Sequence, residues 1–190
     1  MFDESLIEEK EGVNFVIEKI NGHNPEGQAV VYSKWINKAN PSYDIRKNFK
    51  HEGEVFAGDC DPCNDGQYED LPSIYSKFNW NTSTVLVIGL YLGVLPQYIM
   101  DNKSPYVLDV IDSDQELIDT VTWLDSNINV IKSHPYAYEP DKKYDIIICD
   151  LWCDPQYITE SHETTLWNTY KDHLNANGKI VIPIANKTLN

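Results

Sequence analysis

Thr84-Val85-Leu86-Val87-Ile88-Gly89-Leu90-Tyr91-Leu92-Gly93 is the stretch on which the fold turns. Val85 to Ile88 is apolar without interruption, the pattern of a parallel strand covered on both faces. The run breaks at Gly89, where the backbone must turn sharply, and Gly93 opens a helix. Pro96 fits the first turn of that helix, where a missing N–H is harmless. The free N–H groups of such a turn are the usual contact for a polar or anionic ligand group.

Four further strands follow in order. Tyr106 to Ile111 reads as the second and ends at Asp112, about twenty residues after the glycine turn, where an α/β site keeps an acid for ribose. Ile128 to Lys132, Tyr144 to Cys149 and Lys179 to Ile184 read as the third, fourth and fifth. The segments between them read as helices. In the last, Glu163 to Leu174, Leu166, Tyr170 and Leu174 recur every fourth residue, and Asn177-Gly178 follows as a stop. Alternation of this kind predicts an α/β fold with a doubly wound, Rossmann-like, mostly parallel sheet. The ligand crevice of such a sheet lies beyond the carboxyl ends of its strands, where Gly89, Asp112, Ser133, His134 and Asp150 fall.

VLVIG, IDSDQELI, YDIIICDLWCDP and LNANGKIVI, taken together, resemble the S-adenosylmethionine-dependent methyltransferase superfamily, and most of all its spermidine-synthase (aminopropyltransferase) branch. That branch shows an IIGGGDGG-like turn, an EIDPEVI-like second strand and YDVIIVDSTDP at the fourth. The resemblance spans roughly residues 84 to 185. It implies a donor site for S-adenosylmethionine or its decarboxylated form, with Gly89 and Gly93 along the methionine moiety and Asp112 on the ribose. Asp114 stands at the branch's second acid, and Ser133-His134 where the family usually has Gly-Asp beside the adenine. Asp150 matches the carboxylate that takes a proton from the attacking amine, and Asp154 with Pro155 resembles the pair that helps bind it. Val87 also matches the branch, whereas Tyr91 stands where the family has its middle glycine.

The resemblance thus implies aminopropyl transfer to a small cationic amine. Its alternatives are methyl transfer from S-adenosylmethionine and a degenerate, non-catalytic binding protein of the same fold. A nicotinamide dehydrogenase is disfavoured because the glycines are spaced G-x-x-x-G. Trp152 could stack on an adenine or attract a sulfonium through its ring face, and it could equally be packing. Asp145, at the start of a strand, reads as a structural hydrogen-bonder.

The chain of 190 residues is 42% hydrophobic, enough for one core. A net charge of −15, with Arg46 the only arginine, argues against a nucleic-acid partner and is compatible with a cationic substrate. No run is apolar enough to cross a membrane, and Met1 to Lys10 is acidic where a secretion signal is basic and then apolar, so a cytoplasmic location is expected. A homodimer is compatible with these features.

Two regions are expected: residues 1–72, a β-hairpin region with a long loop, and residues 73–190, the methyltransferase-type unit. Gly12 to Ile20 alternates with Val13, Phe15 and Ile17 on one face, and Gln28 to Ile36 alternates again after a loop holding Asn21-Gly22 and Pro25. From Asn37 to Pro72 periodicity vanishes, as in a lid or a disordered segment. A short helix is expected within Leu71 to Trp80. The C-terminus is expected to add no sixth or seventh strand, leaving the sheet truncated there. Cys60 and Cys63 form a C-x-x-C pair and Cys149 and Cys153 flank Asp150, but the second spacing is not that of a zinc site, so no metal is expected.

Overall fold

Each apolar run has two faces to cover, and the helices between the runs supply the cover. The computed structural model describes residues 8–13, 15–23, 29–37, 79–151, 157–185 and 187–189. In chain order the strands are β1 (Lys10–Glu11), β2 (Phe15–His23), β3 (Ala29–Asn37), β4 (Thr84–Ile88), β5 (Val107–Asp112), β6 (Ile128–Lys132), β7 (Tyr144–Cys149), β8 (Leu174–Ile182) and β9 (Lys187–Leu189). The helices are α1 (Val94–Lys103), α2 (Gln115–Thr120) and α3 (Glu160–Tyr170). Cys60, Cys63, Trp152, Asp154 and nearly all of Asn37 to Trp80 lie outside the described residues.

The large sheet has the order β6-β5-β4-β7-β8-β9, and its first five strands are parallel, as the doubly wound pattern predicts. Winding reverses between β4 and β7, where Val85 to Ile88 pair with Ile146 to Cys149. Such a reversal opens a crevice at the carboxyl ends of the strands. On one face Val85, Val87, Ile146 and Ile148 pack with Leu95 and Ile99 of α1 and Leu117 of α2. On the other, Leu86, Ile88, Ile111 and Ile147 pack with Leu166 and Tyr170 of α3. Full burial of a Val, Leu or Ile side chain stabilises by roughly 1.5–3 kcal/mol, so these two clusters fix the strand order.

The small sheet has the order β1-β2-β3, all antiparallel, so the expected hairpin is present. Its turn lies later than expected: Asn21 and Gly22 continue β2 and pair with Val31 and Val30. Val13, expected on the same face as Ile17, precedes β2 and is 83% exposed, whereas Ile17 enters the core at 1%. The hairpin docks on α2, where Lys10 Nζ donates to Thr120 Oγ1 at 3.1 Å and the Val13 N–H donates to the Glu116 carboxylate.

Two expectations at the C-terminal end are corrected. The helix stops at Tyr170 and a 3-10 turn, Lys171–His173, leads into β8, so Leu174 belongs to a strand. Leu174 pairs with Tyr144 and Lys179 with Ile146, so the surplus residues of β8 bulge out, with Asn177 at φ 69°. At Gly178 a Cβ would lie 2.8 Å from the Tyr144 carbonyl oxygen, which explains the Asn-Gly pair without a helix stop. A sixth strand does exist: after the Pro183–Ala185 turn, β9 runs antiparallel to β8, with Ile182 opposite Lys187. Lys187 also pairs with Glu163 of α3, tying the edge strand to its covering helix. Among the described residues no helix is long and apolar enough to cross a membrane.

Candidate functional site

Three backbone hydrogen bonds bring the carboxyl ends of four strands to one edge. Gly89 N–H donates to the Ile111 carbonyl at 2.9 Å, Asp150 N–H to Ile88 at 2.9 Å, and Ser133 N–H to Asp112 at 2.8 Å. Gly93 N–H donates to the Leu90 carbonyl at 2.8 Å and closes a tight turn. Gly89, Tyr91 and Gly93 all have positive φ, at 105°, 44° and 77°. Glycine adopts that region freely, while an L-residue such as tyrosine is strained there.

The turn is braced from behind. A Cβ on Gly93 would stand 2.7 Å from Leu124 Cδ2 and 2.9 Å from Val121 Cγ1, so the segment after α2 packs directly on it. Trp123 Nε1 donates to the Leu92 carbonyl at 2.9 Å, and the Asp125 N–H donates to Gln97 Oε1 at 2.7 Å. Gln97, Val121, Trp123 and Leu124 were not readable as site residues, because their contribution is packing across elements with no local spacing to betray it.

Asp112 ends β5, and both its oxygens already accept backbone hydrogen bonds: Oδ2 from the Leu90 N–H and Oδ1 from the Asp114 N–H, each at 2.9 Å. A carboxylate offers about four lone-pair positions, so roughly two remain for a ligand. Asp114 caps α2, its Oδ1 accepting from Glu116 N–H at 2.9 Å and Leu117 N–H at 3.2 Å. That accounts for the second acid of the motif without a ligand.

Asp150 is 4% exposed, and its carbonyl group packs against Gly89 so closely that a Cβ there could not be accommodated. Cys149, just before it, is fully buried, and burial followed by the Asp150 charge pushes its thiol pKa well up. Such a thiol is a packing group and a poor nucleophile. Ser133 stays at the edge beside Asp112, whereas His134 is exposed and its Nδ1 accepts the Tyr136 N–H at 3.3 Å. The edge thus gathers Gly89, Gly93, Asp112, Ser133 and Asp150, and turns the His134 ring into its own loop.

Two other acids serve the scaffold. Asp145 accepts from Thr84 N–H at 2.8 Å and from Asn175 Nδ2 at 2.9 Å, joining β4, β7 and the β8 bulge as a structural group. Asp109, 1% exposed within β5, accepts from Tyr144 Oη at 2.8 Å and Asn129 Nδ2 at 2.9 Å, and pairs with Lys142 at 3.0 Å. A cleft of about 470 Å³ lies elsewhere, between Tyr136, Tyr138 and Glu139 on one side and Thr169 and His173 on the other.

No protein-family model and no curated protein sequence matches the chain. Solved structures do. A SAM-bound amino pentose methyltransferase from Micromonospora echinaspora involved in calicheamicin biosynthesis aligns over 64% of this chain and 52% of its own, at 8% identity and TM-score 0.50. The glycopeptide N-methyltransferase MtfA aligns over 62% and 53%, at 14% identity and TM-score 0.48. The plantazolicin methyltransferase BpumL, in complex with SAH, aligns over 61% and 43%, at 23% identity and TM-score 0.47. The matched region thus spans about half the length of those proteins. At such identities the likeness is one of architecture: the chain carries the Rossmann-like α/β fold of the S-adenosylmethionine-dependent methyltransferases.

Proposed function

We propose that the chain binds S-adenosylmethionine in the crevice formed by the Gly89–Gly93 turn and the ends of β5 and β7, and that it transfers a methyl group. The observation that carries this reading is the Asp112 carboxylate, fixed by the Leu90 and Asp114 N–H groups at 2.9 Å and half-buried at the tip of β5. An anchored acid with lone pairs to spare suits the two hydroxyls of a ribose. The amino pentose methyltransferase that shares the fold is SAM-bound, which favours methyl over aminopropyl transfer.

A bound sulfonium donor supplies an electrophilic carbon. The chain's part is to hold the acceptor in line with the breaking carbon–sulfur bond and to receive the proton the acceptor loses. Asp112 holds the ribose, Gly89 and Gly93 let the backbone approach the donor, and Ser133 stands on the adenine side. Asp150 is the proton acceptor, and the sequence resemblance gives Trp152 and Asp154 a part in binding the acceptor. A small amine is the acceptor class that suits the acidic chain.

Calorimetric titration of the full chain with S-adenosylmethionine and S-adenosylhomocysteine tests the reading. Saturable binding of both is expected. Absence of heat with either, in a sample shown to be folded, would contradict it.

A further inference from the structure

Tyr91 is the residue of the turn that the donor-site reading leaves unused. It sits between two glycines of positive φ and itself adopts φ 44°, a conformation disfavoured for an aromatic residue. A Cβ placed on Gly89 would meet Tyr91 Cε2 at 3.5 Å and would also press on the carbonyl group of Asp150. The ring edge therefore lies over Gly89, on the side that faces the end of β7.

The sheet order gives this position its meaning. β4 lies between β5 and β7, so Gly89 stands between Asp112 at the tip of β5 and Asp150 beyond β7. A nucleoside whose ribose is held by Asp112 must send its 5′ substituent across the tip of β4 to reach Asp150. The Tyr91 ring lies on that path.

We propose that Tyr91 is a specificity-determining residue that screens the 5′ substituent of the bound nucleoside: small substituents pass beneath or beside the ring, and long ones require it to leave the crevice. The inference rests on the donor-site reading. A ligand that binds only when the ring is out is weakened in proportion to the scarcity of that state. With the displaced state populated at about a tenth or less, the long ligand loses about ten-fold or more in affinity. Adenosine, which carries only a hydroxyl at its 5′ carbon, loses nothing by this route.

Calorimetry on the full chain with adenosine and S-adenosylmethionine, in the parent, Tyr91→Gly and Tyr91→Phe, decides the matter. Tyr91→Gly is expected to tighten S-adenosylmethionine by about ten-fold or more while leaving adenosine near its parental affinity. Tyr91→Phe, which keeps the ring, is expected to match the parent with both ligands. Glycine suits a φ of 44°, so the variant should fold, and Tyr91→Asn provides a second ring-free variant because asparagine enters the left-handed region readily. If adenosine binds but S-adenosylmethionine gains nothing, or loses affinity, in both ring-free variants, the screening role is wrong and the donor site stands. If neither nucleoside binds parent or variants, the donor-site reading falls and the role of Tyr91 falls with it.

Discussion

The Leu90 N–H donates to Asp112 Oδ2 at 2.9 Å across the gap between the glycine turn and the tip of β5. One hydrogen bond thus fixes the spacing of two loops that come from different strands. The second oxygen of the same carboxylate holds the Asp114 N–H at 2.9 Å and sets the start of α2. Asp112 is therefore part of the frame of the site it is proposed to serve.

Asp112→Asn keeps one acceptor oxygen and replaces the other with an amide NH2, so one of the two N–H groups loses its partner. The expected result is a loss of about 1–3 kcal/mol in unfolding free energy, measured by urea denaturation, together with weaker nucleoside binding. Unchanged stability would mean that neither backbone bond matters to the fold.

Gly89→Ala meets a backbone obstacle. Its φ of 105° is outside the range of L-residues, and the added carbon is driven into the Asp150 carbonyl, which is itself held by the Asp150 N–H bond to Ile88. Neither neighbour can give way as a flexible side chain would. A destabilisation of about 2–4 kcal/mol is expected, read as a lowered midpoint in a reversible denaturant titration. A midpoint within error of the parent would contradict the close packing of Gly89 on the Asp150 carbonyl.

The buried tyrosines set an alkaline limit. Burial, reinforced by hydrogen bonds involving Tyr138 and Asp109, raises the Tyr144 pKa, and burial raises those of Tyr170 and Tyr136. Lys142 is raised by its hydrogen bond to Asp109. A group whose folded pKa is raised stabilises fully below its unfolded value and loses that stabilisation as pH climbs toward the folded one. With an unfolded tyrosine value near 10, unfolding free energy should hold through pH 9 as far as these groups are concerned. It should then fall by about 1.4 kcal/mol per pH unit for each proton that the fully buried Tyr144 and Tyr170 retain. Urea midpoints between pH 8 and 11 check this, and a flat profile up to pH 11 would contradict it.

Much of the fold was legible because parallel strands buried on both faces must be apolar throughout. The third and fourth strands, Ile128–Lys132 and Tyr144–Cys149, match their expected bounds, β4 differs only at its first residue, and β5 starts one residue later and takes in Asp112. What escaped was tertiary. Asn175 to Gly178 has the composition of a turn, and only the pairing of Leu174 with Tyr144 reveals a strand with a bulge. β9 is three residues of unremarkable sequence that exist as a strand because the edge of β8 is there to receive them. At the site, Gly89, Gly93 and Asp112 were readable because their spacing is local to one strand-turn-helix unit. The brace formed by Trp123, Leu124 and Gln97 was not, since its partners lie far along the chain and follow no motif. The same holds for Asp109, which the strand pattern conceals among apolar neighbours.

Backbone NMR of the full chain titrated with S-adenosylhomocysteine locates the donor site residue by residue, because each amide reports its own position. Saturable shifts are expected at Leu90, Tyr91, Asp112, Ser133 and Asp150, with Phe15 to His23 unmoved. Shifts centred instead on Tyr136 to Glu139 and His173, or none anywhere in a folded sample, would contradict a donor site at the glycine turn.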